Sequence, residues 1–179
     1  VIGSIICEGD EAIVLEPNWS TIDSQIVIAG GNPIKVSHLL SDSDLIESLN
    51  QCCTTRTKII CINSPNNPTG LVFSEQRIKL IIDWAREKDL YVLSDEVYRC
   101  HVYDVKHASV LSYFSYDKII FIDSFSKKYA MTGWRLGYVV ANNTLLSKIV
   151  KYSQINITNI APFIQRGGMK AISSPKVAE

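Results

Sequence analysis

Three polar segments of the chain carry residue types that could do chemistry. Asn63-Ser64-Pro65-Asn66-Asn67-Pro68-Thr69-Gly70 offers side-chain amides, Ser94-Asp95-Glu96-Val97-Tyr98 a carboxylate and a phenol, and Asp123-Ser124-Phe125-Ser126-Lys127-Lys128 a lysine among hydroxyls. Taken singly, each has an ordinary account. Asn-Pro-Thr-Gly makes a turn, Asp95 and Glu96 could cap a following helix, and Lys127 could be one of two solvated lysines. Taken together they read differently. A buried lysine near hydroxyls and a carboxylate can have a lowered pKa and form a Schiff base with a carbonyl. A carboxylate across the same cleft can keep a ring nitrogen protonated, which turns the ring into an electron sink. Lys128, in contrast, reads as solvated.

The elements around these segments decide whether they meet. Residues 11–15, 33–36, 58–62, 90–93, 118–122 and 136–140 are short apolar runs and read as strands. Residues 2–7 read as the end of a buried helix stopped by Gly9. A helix over 42–52 opens with Ser and Asp capping candidates and carries Leu45, Ile46 and Leu49 on one face. Ser74 caps a helix to about residue 88, in which Ile78, Ile81, Ile82 and Ala85 form an apolar stripe. Thr144 caps a last helix, broken near Pro162. Strands that are apolar on both faces and alternate with helices predict a mainly parallel sheet covered on both sides. Ligands of such sheets bind outside the carboxyl ends of the strands, and each of the three polar segments directly follows a strand.

The segments 63–70, 94–98 and 124–138 resemble the large domain of fold-type I pyridoxal-phosphate enzymes, most closely the class I/II aminotransferase family. The run Ser124-Phe125-Ser126-Lys127-Lys128-Tyr129-Ala130-Met131-Thr132-Gly133-Trp134-Arg135-Leu136-Gly137-Tyr138 is its most specific part, and the resemblance extends over nearly the whole chain. It implies a three-layer α/β/α fold whose mainly parallel sheet contains one antiparallel strand, cut short at both ends relative to the family. It also implies pyridoxal 5'-phosphate as cofactor and transamination between an amino acid and a 2-oxo acid. By the same resemblance, Lys127 is the residue of the internal aldimine and the proton shuttle. Asp95 is the partner of the pyridinium nitrogen, and Asn67 and Tyr98 are partners of the ring 3-oxygen. Ser124, Ser126 and Arg135 are phosphate ligands, and Trp19 stacks on the ring. Lys127, Asp95 and Tyr98 form the catalytic set.

The resemblance further implies a homodimeric, cytoplasmic enzyme. Residues 1–160 correspond to the cofactor-binding core, and 161–179 to the start of a connection toward a small domain. The chain begins with Val1, and the family's upstream phosphate loop and small domain lie outside it, so it reads as the core of a longer enzyme and a poor catalyst by itself. A carbon–sulfur lyase or related lyase using the same cofactor is the alternative chemistry, and a non-catalytic fragment the alternative class.

Composition narrows the rest. With 179 residues, 46% hydrophobic and 20% charged, the chain is an ordinary globular protein rather than a disordered or fibrous one. Its 18 basic residues balance 18 acidic ones, which leaves no excess charge to neutralise a nucleic-acid backbone. No apolar run approaches the roughly 20 residues of a membrane span. Five cysteines, an odd number without a C-x-x-C, read as reduced thiols of an intracellular protein, with Cys7 and Cys61 as small hydrophobes. The N-x-[ST] triplets at Asn18, Asn142 and Asn156 are discounted on the same ground. Cys100, His101 and His107 have no carboxylate partner that the sequence can name, so no metal site is read there. Ser124-Phe125-Ser126-Lys127 also fits the S-x-x-K pattern of penicillin-binding enzymes, but their S-D-N and K-T-G elements are absent. Neither G-x-G-x-x-G nor a P-loop pattern occurs.

Overall fold

The apolar runs pair into one sheet in the computed structural model, which describes residues 1–174. The strands are β1 (Glu11–Glu16), β2 (Asn32–Ser37), β3 (Thr57–Asn63), β4 (Tyr91–Asp95), β5 (Ile119–Ser124) and β6 (Gly137–Val140). They lie in the order β2-β1-β3-β4-β5-β6. All neighbouring pairs are parallel except β5 and β6, which are antiparallel. The helices are α1 (Thr21–Ile28), α2 (Asp42–Cys52), α3 (Glu75–Glu87), the single turn α4 (Phe125–Lys128), α5 (Asn143–Ile157) and α6 (Pro162–Ile172).

Alternation of side chains along each strand builds two cores. Ile13, Leu15, Ile60, Ile62, Val92, Ile119 and Phe121 meet Leu45 and Leu49 of α2 and the Ile78, Ile81, Ile82 and Ala85 stripe of α3. On the other face, Ala12, Val14, Ile59, Cys61, Leu93 and Ile120 meet Ile26 of α1 and Leu145 of α5. The result is the expected three-layer α/β/α arrangement with one antiparallel strand. Each fully buried Ile or Leu contributes about 1.5–3 kcal/mol, so the strands are held by both layers. The α3 cap is also as expected: the Ser74 hydroxyl accepts the Arg77 backbone N–H at 3.1 Å. From β1 the sheet continues to β2 on one side and to β3 on the other. A sheet whose order reverses in this way opens a crevice at the carboxyl ends of its strands.

Several local expectations differ from the structure. Residues 2–7 do not end a helix: only Ile2–Ser4 form a 3₁₀ turn, although Ile2 and Ile6 are buried. Gly9, at φ +82°, turns the chain into β1. Helix α1 has no counterpart among the expected elements. Its Ser20 makes no side-chain cap bond, only Ile26 is fully buried, and Val27 and Ile28 face solvent, so its periodicity is weak. The cap of α5 is Asn142, whose side chain accepts the Leu145 N–H at 2.8 Å; Thr144 lies inside the helix. Pro162 does not break a helix but begins α6, a position where its fixed φ and missing N–H cost nothing. Cys61 is buried, and that burial pushes its thiol up to about 12. Cys7 is exposed rather than a small core residue.

Candidate active site

The carboxyl ends of β1, β3, β4 and β5 surround a cleft of about 430 Å³. All eight side chains singled out from the sequence line it. Trp19 comes from the loop after β1, Asn67 from the loop after β3, Asp95 from the end of β4 and Tyr98 from the turn that follows. Ser124, Ser126 and Lys127 lie at the junction of β5 and α4, and Arg135 lies just before β6. The floor includes Asn63 and Ile122, which the sequence reading did not single out. Asn63, Asp95 and Ile122 are register partners across β3, β4 and β5, so they share one face of the sheet.

Asn63 connects two sides of the cleft. Its Nδ2 donates to the Asp95 carbonyl at 2.9 Å, and its Oδ1 accepts the Asn67 N–H at 2.7 Å. Its position at the end of a strand, inside the quoted amide segment, was the available signal. The Trp19 loop is held one turn earlier: the Pro17 carbonyl accepts from Asn66 Nδ2 at 3.0 Å and from His38 Nε2 at 3.0 Å. A carbonyl can only accept, so Nε2 carries the His38 proton. Burial lowers the His38 pKa, in keeping with a neutral ring. Trp19 itself remains 52% exposed, with room for a ligand against its face.

Asp95 is the electrostatic centre of the site. Burial is the main cause that pushes its carboxyl above the usual carboxylate range, opposed by the Val97 N–H that donates to its Oδ1 at 3.2 Å. Ser124 spends its hydroxyl on local structure, accepting the Ser126 N–H at 3.1 Å and donating to the Leu136 carbonyl at 3.3 Å. Arg135 has φ +52°, a left-handed conformation rare outside glycine and enriched where a site demands it. Its guanidinium is exposed, tethered by one bond to the Thr132 carbonyl at 2.9 Å.

The lysines differ from expectation. Lys127 is exposed rather than buried, with Nζ 5.3 Å from the centre of the Tyr98 ring. Lys128 is half-buried rather than solvated, and its Nζ lies 5.3 Å from the centre of the Tyr129 ring. The histidine reading also changes: His107 has a carboxylate partner, Glu96, at 2.7 Å. That pairing depends on the fold, since the chain between them must loop back to the end of β4.

The donor set suits a phosphorylated pyridine aldehyde. Among the described residues no cation pairs with the half-buried Asp95 carboxylate, and a protonated ring nitrogen would supply one. The Ser126 hydroxyl and the Arg135 guanidinium provide donors and charge for a dianion, and the cleft volume falls in the range of about 300–1,000 Å³ common for small ligands.

The profile of the family described as aminotransferase class I and II matches residues 1–177. The chain belongs to this family. It is 37% identical over 179 residues to the probable aspartate/prephenate aminotransferase of Aquifex aeolicus, covering 97% of this chain and 45% of that protein. It is 37% identical over 175 residues to the aspartate aminotransferase of Pyrococcus abyssi, with 96% and 45% covered. The structure of the aromatic aminotransferase of Pyrococcus horikoshii superposes with a TM-score of 0.89 at 33% identity, covering 98% of this chain and 48% of that one. The chain therefore spans about half the length of the curated relatives it matches. Among the described residues, no helix of this aminotransferase-family chain is long and apolar enough to cross a membrane.

Proposed function

We propose that the protein transfers an amino group between an amino acid and a 2-oxo acid, using pyridoxal phosphate. The observation that carries the reading is the convergence of Lys127, Asp95 and the phosphate-type donors in one cleft, from strands far apart in sequence. The bound cofactor would supply a conjugated, electron-withdrawing ring able to take up the electron pair of a substrate Cα–H bond.

The chain's own residues do the rest. Asp95 would hold a proton on the ring nitrogen, and its desolvated setting would strengthen that pairing. Asn67 and Tyr98 would donate to the ring oxygen. Ser124, Ser126 and Arg135 would hold the phosphate, Ser124 by turning its hydroxyl away from the Leu136 carbonyl and Arg135 through a guanidinium fork that matches phosphate geometry. Trp19, which lines the cleft, would cover one face of the ring. Lys127 provides the amine for covalent attachment. When not so attached, the Lys127 amine would be the base that takes up and returns the proton of the substrate Cα.

Residues 1–160 form the cofactor-holding core in this reading, and 161–179 lead toward a further domain; residues 175–179 lie outside the described residues. The names of the relatives make aspartate and aromatic amino acids the first substrates to assay. The free thiols are in keeping with a cytoplasmic setting. The exposed Ile155, Phe163, Met169 and Ile172 on α5 and α6 favour a homodimer or another covering partner.

Borohydride reduction of the protein with pyridoxal phosphate, followed by peptide mapping, tests the reading. The label is expected on Lys127, and incubation with an amino acid and a 2-oxo acid should exchange their amino groups. A label on Lys128, no label, or loss of the amino acid without amino transfer would refute it.

A further inference from the structure

We propose that Asp123, Arg99 and Tyr138 form a positioning cluster that aims Tyr98 and Ser124 into the cleft from the opposite face of the sheet. The inference rests on the functional reading above. Asp123 and Ser124 are consecutive on β5, so their side chains point to opposite faces. Asp123 faces the layer of α2 and α3 and is 3% exposed. Its Oδ2 accepts from Arg99 Nε at 2.7 Å and from the Tyr138 hydroxyl at 2.7 Å. Its Oδ1 accepts the Ser124 backbone N–H at 2.6 Å. Arg99 also donates from Nη2 to the Tyr138 oxygen at 3.2 Å, which closes a triangle.

The cluster reaches both walls of the cleft. Arg99 directly follows Tyr98. Its guanidinium packs over Phe121, 5.6 Å from the ring centre, and its backbone N–H donates to the Glu96 carbonyl at 2.9 Å. Arg99 is thus anchored at its tip and at its backbone, and the neighbouring Tyr98 is left on the cleft side, beside Lys127. On the second wall, the bond to Ser124 N–H orients the residue whose hydroxyl caps α4. A buried carboxylate strongly disfavours losing its partners, so the cluster has one arrangement rather than several. None of the three residues lines the cleft; they act through Tyr98 and Ser124.

The test uses the protein at its full natural length with pyridoxal phosphate and the variants Arg99→Gln and Arg99→Lys. Arg99→Gln is expected to move the pH midpoint of the bound cofactor's visible absorption. It should also lower kcat by up to about 100-fold, the scale of a displacement of about 1 Å at a reacting group. Arg99→Lys restores the charge without the fork and should recover part of the midpoint. In a Tyr98→Phe background, Arg99→Gln should leave the midpoint where Tyr98→Phe alone puts it, because the effect travels through the phenol. A lowered melting temperature with an unchanged midpoint, or full additivity of the two substitutions, overturns the proposal. If Arg99→Gln does not fold, Tyr138→Phe should show the same shift at smaller size, and its absence overturns the proposal equally. Wild-type protein that gives no visible band with the cofactor refutes the functional reading, and the inference with it. A normal wild-type band with unchanged variants refutes the inference alone.

Discussion

Replacing Asp95 by asparagine should make the cofactor-free protein more stable and the loaded enzyme nearly inactive. Asparagine keeps the side-chain shape and the oxygen that accepts the Val97 N–H at 3.2 Å, so the change removes charge and little else. Burial raises the carboxyl above its ordinary range, and the nearby charges of Asp123 and Glu96 add to it. A group raised in the folded state loses its proton first in the unfolded chain. Its contribution to stability is complete below the unfolded pKa of about 3.9 and is lost as pH rises through the higher folded value. The asparagine variant escapes that loss. The two proteins should therefore melt alike at about pH 3, and the variant should melt higher at pH 7. Relief of this kind, at a site where function demands a disfavoured group, is worth about 0.5–2 kcal/mol. Each kcal/mol raises the melting temperature of a chain of this size by about 2–4 °C. With the cofactor bound, the proposed function reverses the sign, because the carboxylate would then pair with a protonated ring nitrogen. Loss of one preorganised electrostatic partner costs about 2.7–4 kcal/mol, or 10²–10³ in kcat. Thermal melts with and without cofactor at both pH values, together with transamination rates, measure both effects. A cofactor-free variant that melts below wild type at pH 7, or one that keeps most of its kcat, would refute the reasoning.

Arg135→Ala should weaken pyridoxal phosphate binding by about 1.5–3 kcal/mol, the worth of hydrogen bonds to a charged group, and leave pyridoxal without its phosphate unaffected. Equal losses in a fluorescence titration of the two ligands would count against the phosphate role. Glu11 supplies a separate stability test at the other end of the sheet. Its buried carboxylate accepts from the Thr54 hydroxyl at 2.5 Å, from Arg56 at 2.8 and 3.1 Å and from the Thr57 hydroxyl at 3.2 Å. The Thr54 bond, followed by those from Arg56, holds its pKa below the usual range. That stabilisation is present above the unfolded value of about 4.3 and is lost as pH falls through the lower folded value. Glu11→Gln should cost about 1–3 kcal/mol in urea unfolding at pH 7, and the gap should close in acid; a gap independent of pH would disprove the charge assignment.

Much of the molecule was legible in the sequence because its physics is local. A strand buried on both faces must be apolar at successive positions, and 58–62 and 118–122 are. A helix that covers a sheet must repeat its apolar face, as Ile78, Ile81, Ile82 and Ala85 do. Polar residues at the carboxyl ends of parallel strands must share one rim, which brought Asn67, Asp95, Tyr98, Ser124, Ser126 and Lys127 into one cleft, whereas Trp19 and Arg135 were legible only through the family resemblance. Helix α1 escaped because tertiary contacts at Ile26 hold it in place of a strong local stripe. The choice between Asn142 and Thr144 as cap turned on which side chain reached a backbone N–H, and both types can cap. The tertiary structure alone decided which polar groups meet. Arg99 and Asp123 are 24 positions apart, His107 and Glu96 are 11 apart, and Asn66 reaches back 49 to the Pro17 carbonyl. Local propensity carries no record of such pairings. They exist because adjacent strands bring distant residues into hydrogen-bonding distance, and because a buried charge that lacks its partner is too costly to leave alone.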